Sequence, residues 1–136
     1  MLKKINIKTP PGEGLLNITS QVEAVIQASQ VEEGICLIFC PHTTAGLTIN
    51  SSLDSNTLVD LRAEFRRLVP TRVDFQHVYD TPADAAGHIK ASLVGNDLML
   101  IVSQSRLLLG SSQSLLFCEF DGPRERQVWV RIIAEK

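Results

Sequence analysis

The three histidines of the chain are its clearest candidates for chemistry, because imidazole titrates near neutral pH and is a common metal ligand. They are His42, His77 and His88, and 35 and 11 residues separate them. Taken singly, His42 could hydrogen-bond a turn and His77 could be a solvated loop residue. His88 could pair with Asp84, which lies one helical turn earlier on the same face. Spacing alone therefore predicts neither a metal centre nor a catalytic triad.

Other polar side chains leave a similar choice open. Asp54 precedes a helical pattern and could be either its N-cap or a catalytic carboxylate. Thr43 could bind a phosphate oxygen or a backbone group, and Arg124 is a loop charge unless an anion lies nearby. The chain contains no Cys-x-x-Cys pair, Walker loop, nucleophile elbow or dinucleotide fingerprint. The common local motifs thus assign no reaction.

Three helical patterns position these residues. Thr81 and Pro82 are typical of a helix start, and Gly95 is well placed to end that helix after His88. A second apolar stripe runs at helical spacing and ends at Pro70; its members are Leu58, Leu61, Phe65 and Leu68. Ser20 and Glu23 have the spacing of a capping box, which predicts a helix to about residue 29. Residues 70–80 are predicted to form a loop.

Seven strand patterns complete the chain, and most of them lie in its second half. The segment over 35–40 is apolar throughout and is predicted to be buried on both faces. Turns at residues 96–97 and 104–105 favour antiparallel pairing. The prediction is an α+β fold with about seven strands and two or three helices; the strands are expected at residues 4–9, 35–40, 45–50, 98–103, 106–109, 114–120 and 127–134.

Composition excludes several classes of protein. A length of 136 residues fits a single domain over residues 1–136. The formal charge of −2 gives no basic surface for nucleic acid, so no nucleic-acid partner is expected. The purest apolar runs have five or six residues, far below the roughly 20 that span a bilayer, so no membrane partner is expected either. Three cysteines, an odd number within strand patterns, indicate reduced thiols and a cytoplasmic location.

Longer segments carry a family resemblance. Residues 42–50 read HTTAGLTIN and are similar to an HTSA-x-LT-x-N stretch, while residues 88–95 read HIKASLVG and match a HIKAS-type helix. These motifs resemble those of the YjbQ-like proteins, an uncharacterised-protein family also named secondary thiamine-phosphate synthase. The likeness covers essentially the whole chain; it also takes in Asp54, His77 and residues 60–61, 68–70, 106–110, 113, 118–119 and 122–124.

Two positions depart from the family pattern. The family usually carries a Trp in a GTWQG-like turn, where residues 110–114 of this chain read GSSQS and Ser112 replaces the Trp. It commonly has Glu directly after Asn50, where this chain has Ser51. The loss of an aromatic wall and of a carboxylate bears on substrate identity and on activity.

The resemblance implies both a fold and a site. The fold is a two-layer antiparallel β-sandwich with helices, assembled as a homotrimer around a threefold axis. Five side chains are implied to share one pocket; they are His42, Asp54, His77, His88 and Glu119. The histidines would bind metal or phosphate, Asp54 would orient one imidazole, and Glu119 would support the ligands or handle a proton. Thr43 and Arg124 would contact phosphate.

Two kinds of ligand suit such a pocket. Three neutral imidazoles leave a coordination position open for a divalent metal such as Zn²⁺ or Mg²⁺. Protonated histidines, Thr43 and the helix start at Thr81 would instead suit a phosphate group. The activity implied by the resemblance joins a pyrimidine-methyl pyrophosphate to a thiazole phosphate. The alternatives are a non-catalytic binder of a small phosphorylated or anionic molecule, which the two departures favour, and a structural oligomer with an incidental pocket.

Overall fold

The structure, a computed structural model, describes residues 1–77 and 81–136 and contains, within them, eight strands and three helices. The last three residues of the loop predicted over 70–80 lie outside the described part of the chain. In chain order the elements are β1 (Leu2–Lys8), β2 (Gly12–Asn17), α1 (Thr19–Ser29), β3 (Gly34–Phe39), β4 (Ala45–Asn50), α2 (Ser55–Leu68), α3 (Pro82–Val94), β5 (Asp97–Ser103), β6 (Arg106–Leu107), β7 (Ser114–Gly122) and β8 (Glu125–Ala134).

The strands form two antiparallel sheets that pack face to face. The larger sheet has the order β1-β8-β3-β5-β6, and the smaller has the order β2-β7-β4. Fully buried side chains from both sheets fill the space between them, among them Ile38, Leu47, Phe117 and Val130. The predicted α+β class and the two-layer antiparallel sandwich are therefore confirmed.

Two local predictions need correction. The segment Gly12–Asn17 is a strand, β2, that the prolines and glycines around it concealed in the sequence. The capping box at Ser20 is absent, because the N-cap of α1 is Ile18, two residues earlier, and the Asn17 carboxamide oxygen accepts the Thr19 backbone N–H at 3.0 Å.

Strand β3 was predicted to be buried on both faces and is buried on one. Cys36 and Ile38 point into the core and are fully buried, whereas Ile35 is 42% exposed and Phe39 is 37% exposed. The difference arises because the side chains of a strand alternate, so that Cys36 and Ile38 face the core while Ile35 and Phe39 face the opposite side of the larger sheet.

Helix α3 lies against the outer face of the smaller sheet, where its start signals placed it correctly. Thr81 caps it, Pro82 is its first residue, and Gly95 follows its end. The packing is close: a Cβ at Gly87 would lie 3.3 Å from the Phe120 carbonyl, and one at Gly46 would lie 2.6 Å from the Gly95 carbonyl. The helix is thereby held beside the start of β4.

A buried ion pair adds a second attachment for α3. The Lys90 ammonium group, in a side chain only 2% exposed, donates a hydrogen bond to the Glu13 carboxylate of β2 at 3.0 Å.

Among the described residues, no helix has the length and hydropathy needed to cross a bilayer.

Candidate functional site

Asp84 is the centre of the candidate site. Its backbone N–H is held by the Thr81 hydroxyl in the first turn of α3, and its side chain is buried at the helix N-terminus. The N-terminal position suits a carboxylate, because the helix dipole and the unpaired N–H groups favour negative charge there. A residue four positions later lies on the same face, so the helix places His88 directly beside Asp84.

Two imidazoles converge on a single oxygen of that carboxylate. The Nε2 atom of His77 lies 2.8 Å from Asp84 Oδ2, and the Nε2 atom of His88 lies 3.1 Å from the same oxygen. The two rings meet edge to face with their centroids 5.1 Å apart. His88 comes from α3, while His77 precedes the helix in the chain, and their contacts with Asp84 bring both rings to the first turn of the helix.

This group has the composition of a metal site. One ligand atom from each of His77, Asp84 and His88 lies within 4.8 Å of the other two. Burial acts to raise the pKa of Asp84, but the contacts with His77, Asp121 and His88 outweigh it and hold that pKa below its ordinary value. Two imidazoles and an ionised carboxylate fit Zn²⁺ better than Mg²⁺, which prefers oxygen ligands and retained water.

A cation flanks the group. The Arg124 guanidinium lies 4.0 Å from Asp84 Oδ1 and 2.9 Å from the Asp121 carboxylate. The hydrogen bond to Asp121 raises the pKa of Arg124 above its usual value, so the side chain stays charged. Half of the side chain is exposed, and its positive charge is therefore available to an anionic ligand.

His42 occupies a different position from the other two histidines. It lines a cavity of about 490 Å³ together with His88, Thr43, Ser92 and Asn96. Its Nε2 lies 2.9 Å from the backbone nitrogen of Gln127 and 3.2 Å from the carbonyl oxygen of the same residue, so this atom of the ring is engaged by the Gln127 backbone. Burial lowers the pKa of His42, and the nearby Arg126 charge lowers it further, so the ring is neutral at pH 7.

The structure thus brings His42 and His88 to one cavity and His77 and His88 to one carboxylate. Within the described residues, the group of close ligand atoms does not include His42. For His42 to bind a metal through Nε2, it would have to give up its hydrogen bond with Gln127. His42 is therefore placed to contact a ligand in the cavity rather than to complete the ligand set.

Glu119 lies beneath the site and is fully buried. Its two oxygens accept from the Arg126 guanidinium at 2.6 and 2.8 Å, from the Thr9 hydroxyl at 2.6 Å and from the Asp121 backbone N–H at 3.1 Å. Arg126 also donates to the hydroxyl of Thr44 at 2.8 Å. Every polar group of this network has a partner, so Glu119 fixes the segment that carries His42 and Thr43.

Asp54 is the N-cap of α2. Its carboxylate accepts the backbone N–H of Asn56 at 2.9 Å, and the side chain is exposed. Orienting an imidazole, the role expected of Asp54, belongs by geometry to Asp84. The sequence signal for Asp84 was its four-residue spacing to His88, which is also the ordinary spacing of a surface ion pair.

The two departures from the family pattern lie far from His42 along the smaller sheet. His42 and Thr43 precede Ala45, which pairs with Glu119, whereas Ser51 follows Asn50, which pairs with Ser114 just after Ser112. Five residues of strand separate these two ends, which is roughly 17 Å. Within one chain, neither serine lines the cavity that holds His42 and His88.

Comparisons with known proteins identify the family to which the chain is similar. The sequence profile of the family described as UPF0047 protein YjbQ-like matches residues 3–135. UPF0047 protein YugU of Bacillus subtilis is 39% identical over 135 residues, covering 98% of this chain and 99% of that protein. A UPF0047 protein of Methanocaldococcus jannaschii is 40% identical over 136 residues, covering 100% of this chain and 96% of that protein.

A solved structure gives the same result for the fold. The crystal structure of an uncharacterized conserved protein of the YjbQ/UPF0047 family from Clostridium acetobutylicum superposes with a TM-score of 0.90 at 37% identity. The superposition covers 96% of this chain and 99% of that one. With the profile match over nearly its whole length, the chain belongs to the YjbQ-like UPF0047 family.

Proposed function

We propose that this protein binds a divalent metal ion through His77, Asp84 and His88 and a phosphorylated small molecule in the adjoining cavity. The observation that carries the proposal is the convergence of two Nε2 atoms on one buried carboxylate oxygen, at 2.8 and 3.1 Å, beside a cavity that His88 itself lines. The ligand set favours Zn²⁺, and three protein ligands leave a coordination position for the substrate.

The reaction that we propose for the site is the transfer implied by the family resemblance. The thiazole nitrogen attacks the methylene carbon of a pyrimidine-methyl pyrophosphate, the new carbon–nitrogen bond forms, and the carbon–oxygen bond to pyrophosphate breaks. Pyrophosphate leaves with the bonding electron pair. A bound metal ion would supply charge neutralisation to that leaving group.

The residues of the chain would do the remaining work. The Arg124 guanidinium, half exposed beside Asp84, would bind a phosphate oxygen. The exposed Thr43 hydroxyl would donate a hydrogen bond within the cavity, and the His42 ring, which also lines it, would contact the ligand. Glu119 and Arg126 would keep the His42–Thr44 segment in place through their contact with Thr44, without touching substrate.

Metal binding is the first test of this function. Chelator-treated protein is titrated calorimetrically with Zn²⁺ and with Mg²⁺, and the zinc-loaded protein is then assayed for thiamine phosphate and pyrophosphate. We expect tighter binding of Zn²⁺ than of Mg²⁺, and a loss of Zn²⁺ affinity of at least tenfold in Asp84→Asn. The matched control is Asp60→Asn, which removes an exposed carboxylate of α2 and should leave affinity unchanged.

Each outcome of that test decides the proposal. Metal binding with product formation supports it in full. Metal binding, together with a phosphate-dependent rise in melting temperature but no product, overturns the transfer and supports the non-catalytic binder of a small phosphorylated molecule. Unchanged Zn²⁺ affinity in Asp84→Asn overturns the metal site.

We also infer that the protein assembles as a homotrimer through the outer face of the larger sheet. This face is defined here by Ile35, Leu37, Met99, Ile101 and Ile133. Four of its members are between 42% and 70% exposed, an unusual apolar surface for a monomer.

The cysteines are consistent with a reducing, cytoplasmic compartment for this assembly. Cys36, Cys40 and Cys118 are all buried and unpaired. Burial raises the pKa of Cys36 to about 11 and that of Cys118 to about 12, so both thiols stay protonated and unreactive.

A further inference from the structure

Hydrogen bonds to Thr9 and Glu119 fix the backbone of the connection between β7 and β8. The Thr9 hydroxyl accepts the Arg124 backbone N–H at 2.9 Å, and the Arg124 carbonyl accepts the Thr9 backbone N–H at 3.0 Å. The same hydroxyl donates to the buried Glu119 carboxylate at 2.6 Å, and the Asp121 backbone N–H donates to that carboxylate at 3.1 Å. Asp121 and Arg124 are therefore both anchored to one buried group.

Asp121 also holds the Arg124 side chain, by one edge of its guanidinium. Arg124 Nε donates to the Asp121 carbonyl at 3.0 Å, and Nη2 donates to the Asp121 carboxylate at 2.9 Å. A second edge of the group, formed by Nη1 and the other N–H of Nη2, also presents two parallel donors. Within residues 1–77 and 81–136, Nη1 makes no hydrogen bond, so this second edge is open to a ligand.

The open edge lies beside the candidate metal site. Nη2 is 4.0 Å from Asp84 Oδ1, which is too far for a hydrogen bond. Without Asp121, the guanidinium would be free to move onto Asp84 and form a direct ion pair with it. Such a pair would occupy the N–H groups that an anion needs and the carboxylate that a metal needs. Asp121 thus keeps Arg124 and Asp84 apart as two separate binding groups.

We propose that Asp121 is a positioning residue, which holds Arg124 so that the open edge of its guanidinium binds two oxygens of one phosphoryl group. The planar fork of arginine matches the oxygen spacing of phosphate and forms two parallel hydrogen bonds with it. This inference deepens the proposed function and rests on it in one respect, namely that the anion is a phosphate group of the ligand.

Electrostatics and positioning predict opposite effects for the loss of Asp121. Its carboxylate is a negative charge close to the proposed anion, so removing that charge would by itself strengthen phosphate binding. Releasing the Arg124 guanidinium would weaken phosphate binding, because two charge-assisted hydrogen bonds lose their fixed geometry. The direction of the change in affinity therefore identifies the role of Asp121.

The affinity is measured by titrating metal-stripped, ¹⁵N-labelled protein with inorganic phosphate and following the amide shifts, which also show that each variant is folded. We expect Asp121→Ala to weaken phosphate binding roughly tenfold. Asp121→Asn, whose carboxamide oxygen still accepts from Nη2, should stay within about threefold of the wild type. The matched control is Glu64→Ala, which removes the carboxylate of another pair with arginine three residues away, on α2, and should leave the affinity unchanged.

A double-variant cycle tests whether Asp121 acts through Arg124. Arg124→Gln should itself weaken phosphate binding, and adding Asp121→Ala to it should cause no further loss. An unchanged or higher phosphate affinity in Asp121→Ala, or an equal further loss in the Arg124→Gln background, would overturn the positioning role.

A signal that needs no ligand separates this role from the proposed function. The side-chain Nε–H resonance of Arg124, assigned by its disappearance in Arg124→Gln, should be protected from solvent exchange in the wild type and lose that protection in Asp121→Ala. Equal protection in both proteins would overturn the positioning role and leave the phosphate and metal sites standing. Wild-type protein that binds no phosphate would instead overturn the phosphate part of the proposed function, and with it the anion assigned to Arg124.

Discussion

At the residue scale, the Glu119–Arg126 pair beneath the site is the most consequential buried charge. Burial acts to raise the pKa of Glu119, but hydrogen bonds from Arg126, Thr9 and the Asp121 backbone outweigh it and lower that pKa below 4.5. A carboxyl whose pKa is lower in the folded state stabilises the fold above its unfolded pKa. That contribution is lost as the pH falls through the folded value.

We therefore predict a pH-dependent cost for Glu119→Gln. At pH 7 the substitution should lower the free energy of unfolding by about 3–5 kcal/mol, because it leaves the Arg126 charge buried without its partner. The difference between wild type and variant should shrink as the pH falls below 4.5, because the carboxyl of the unfolded chain takes up a proton there before the folded carboxylate, whose pKa is lower, does so. Urea unfolding at pH 7 and at pH 3.5 measures both quantities.

A double variant provides the control for this pair. Glu119→Leu with Arg126→Leu removes both charges, and it should cost less than Glu119→Gln alone. A stability difference between wild type and Glu119→Gln that stayed constant from pH 7 to pH 3.5 would contradict the assignment of the stabilising charge to Glu119.

Of the two imidazole contacts of Asp84, only the one with His88 could be predicted from the sequence. The helical spacing of Asp84 and His88 is visible in the sequence, and the structure confirms their contact. The contact of His77 with Asp84 joins two residues seven positions apart, of which only Asp84 lies in the helix, and no local pattern encodes that contact. Glu119 was expected near the ligands, but its oxygens accept from Arg126, seven residues later across the β7–β8 connection, and from Thr9, which is 110 residues away.

At the element scale, α2 depends on its first residue because few of its side chains are covered. None of its residues is fully buried, and its main packing neighbour is β2. The Asp54 cap therefore contributes a large share of what holds the helix start. This gives Asp54 a structural role that can be separated from a chemical one.

We predict that Asp54→Ala lowers the free energy of unfolding by about 0.5–2 kcal/mol, the usual cost of losing a helix N-cap. Asp54→Asn should recover most of that stability, because Asn caps helices as well as Asp does. Thermal unfolding and Zn²⁺ calorimetry on both variants provide the test. Loss of Zn²⁺ or phosphate binding in the stable Asp54→Asn variant would instead give the carboxylate a role in the site.

Elements with strong end signals were predictable, and those without such signals were not. Thr81, Pro82 and Gly95 marked both ends of α3. Turn-forming residues such as Asn, Gly and Pro marked the ends of most strands. Strand β2 was not predicted from the sequence, because Gly12 and Gly14 interrupt the alternation of polar and apolar side chains by which strands are recognised. Its place is set instead by pairing with β7, a partner a hundred residues later.

At the scale of the whole molecule, the exposed apolar face of the larger sheet explains why strand β3 was predicted to be buried on both sides. Its sequence is apolar throughout, yet Ile35 and Phe39 face outward. A single sequence does not distinguish a residue buried in its own core from one buried against another copy. A homotrimer through this face would satisfy both the pattern and the exposure.

We predict that wild-type protein sediments at three times the 15.0 kDa of one chain and that Ile101→Lys sediments at the mass of the monomer. Ile101 is 58% exposed at the centre of β5, so a lysine there would place three buried ammonium groups around the ring without disturbing the core of one chain. Val59→Lys is the matched control, because Val59 is 51% exposed on α2, away from the sheet. Circular dichroism should show that both variants are folded. A wild-type protein of monomer mass, or a trimer that Ile101→Lys leaves intact, would remove this face as the interface. If only Ile101→Lys dissociates, the apolar outer side chains of β3 and β5 are the surface that joins the copies.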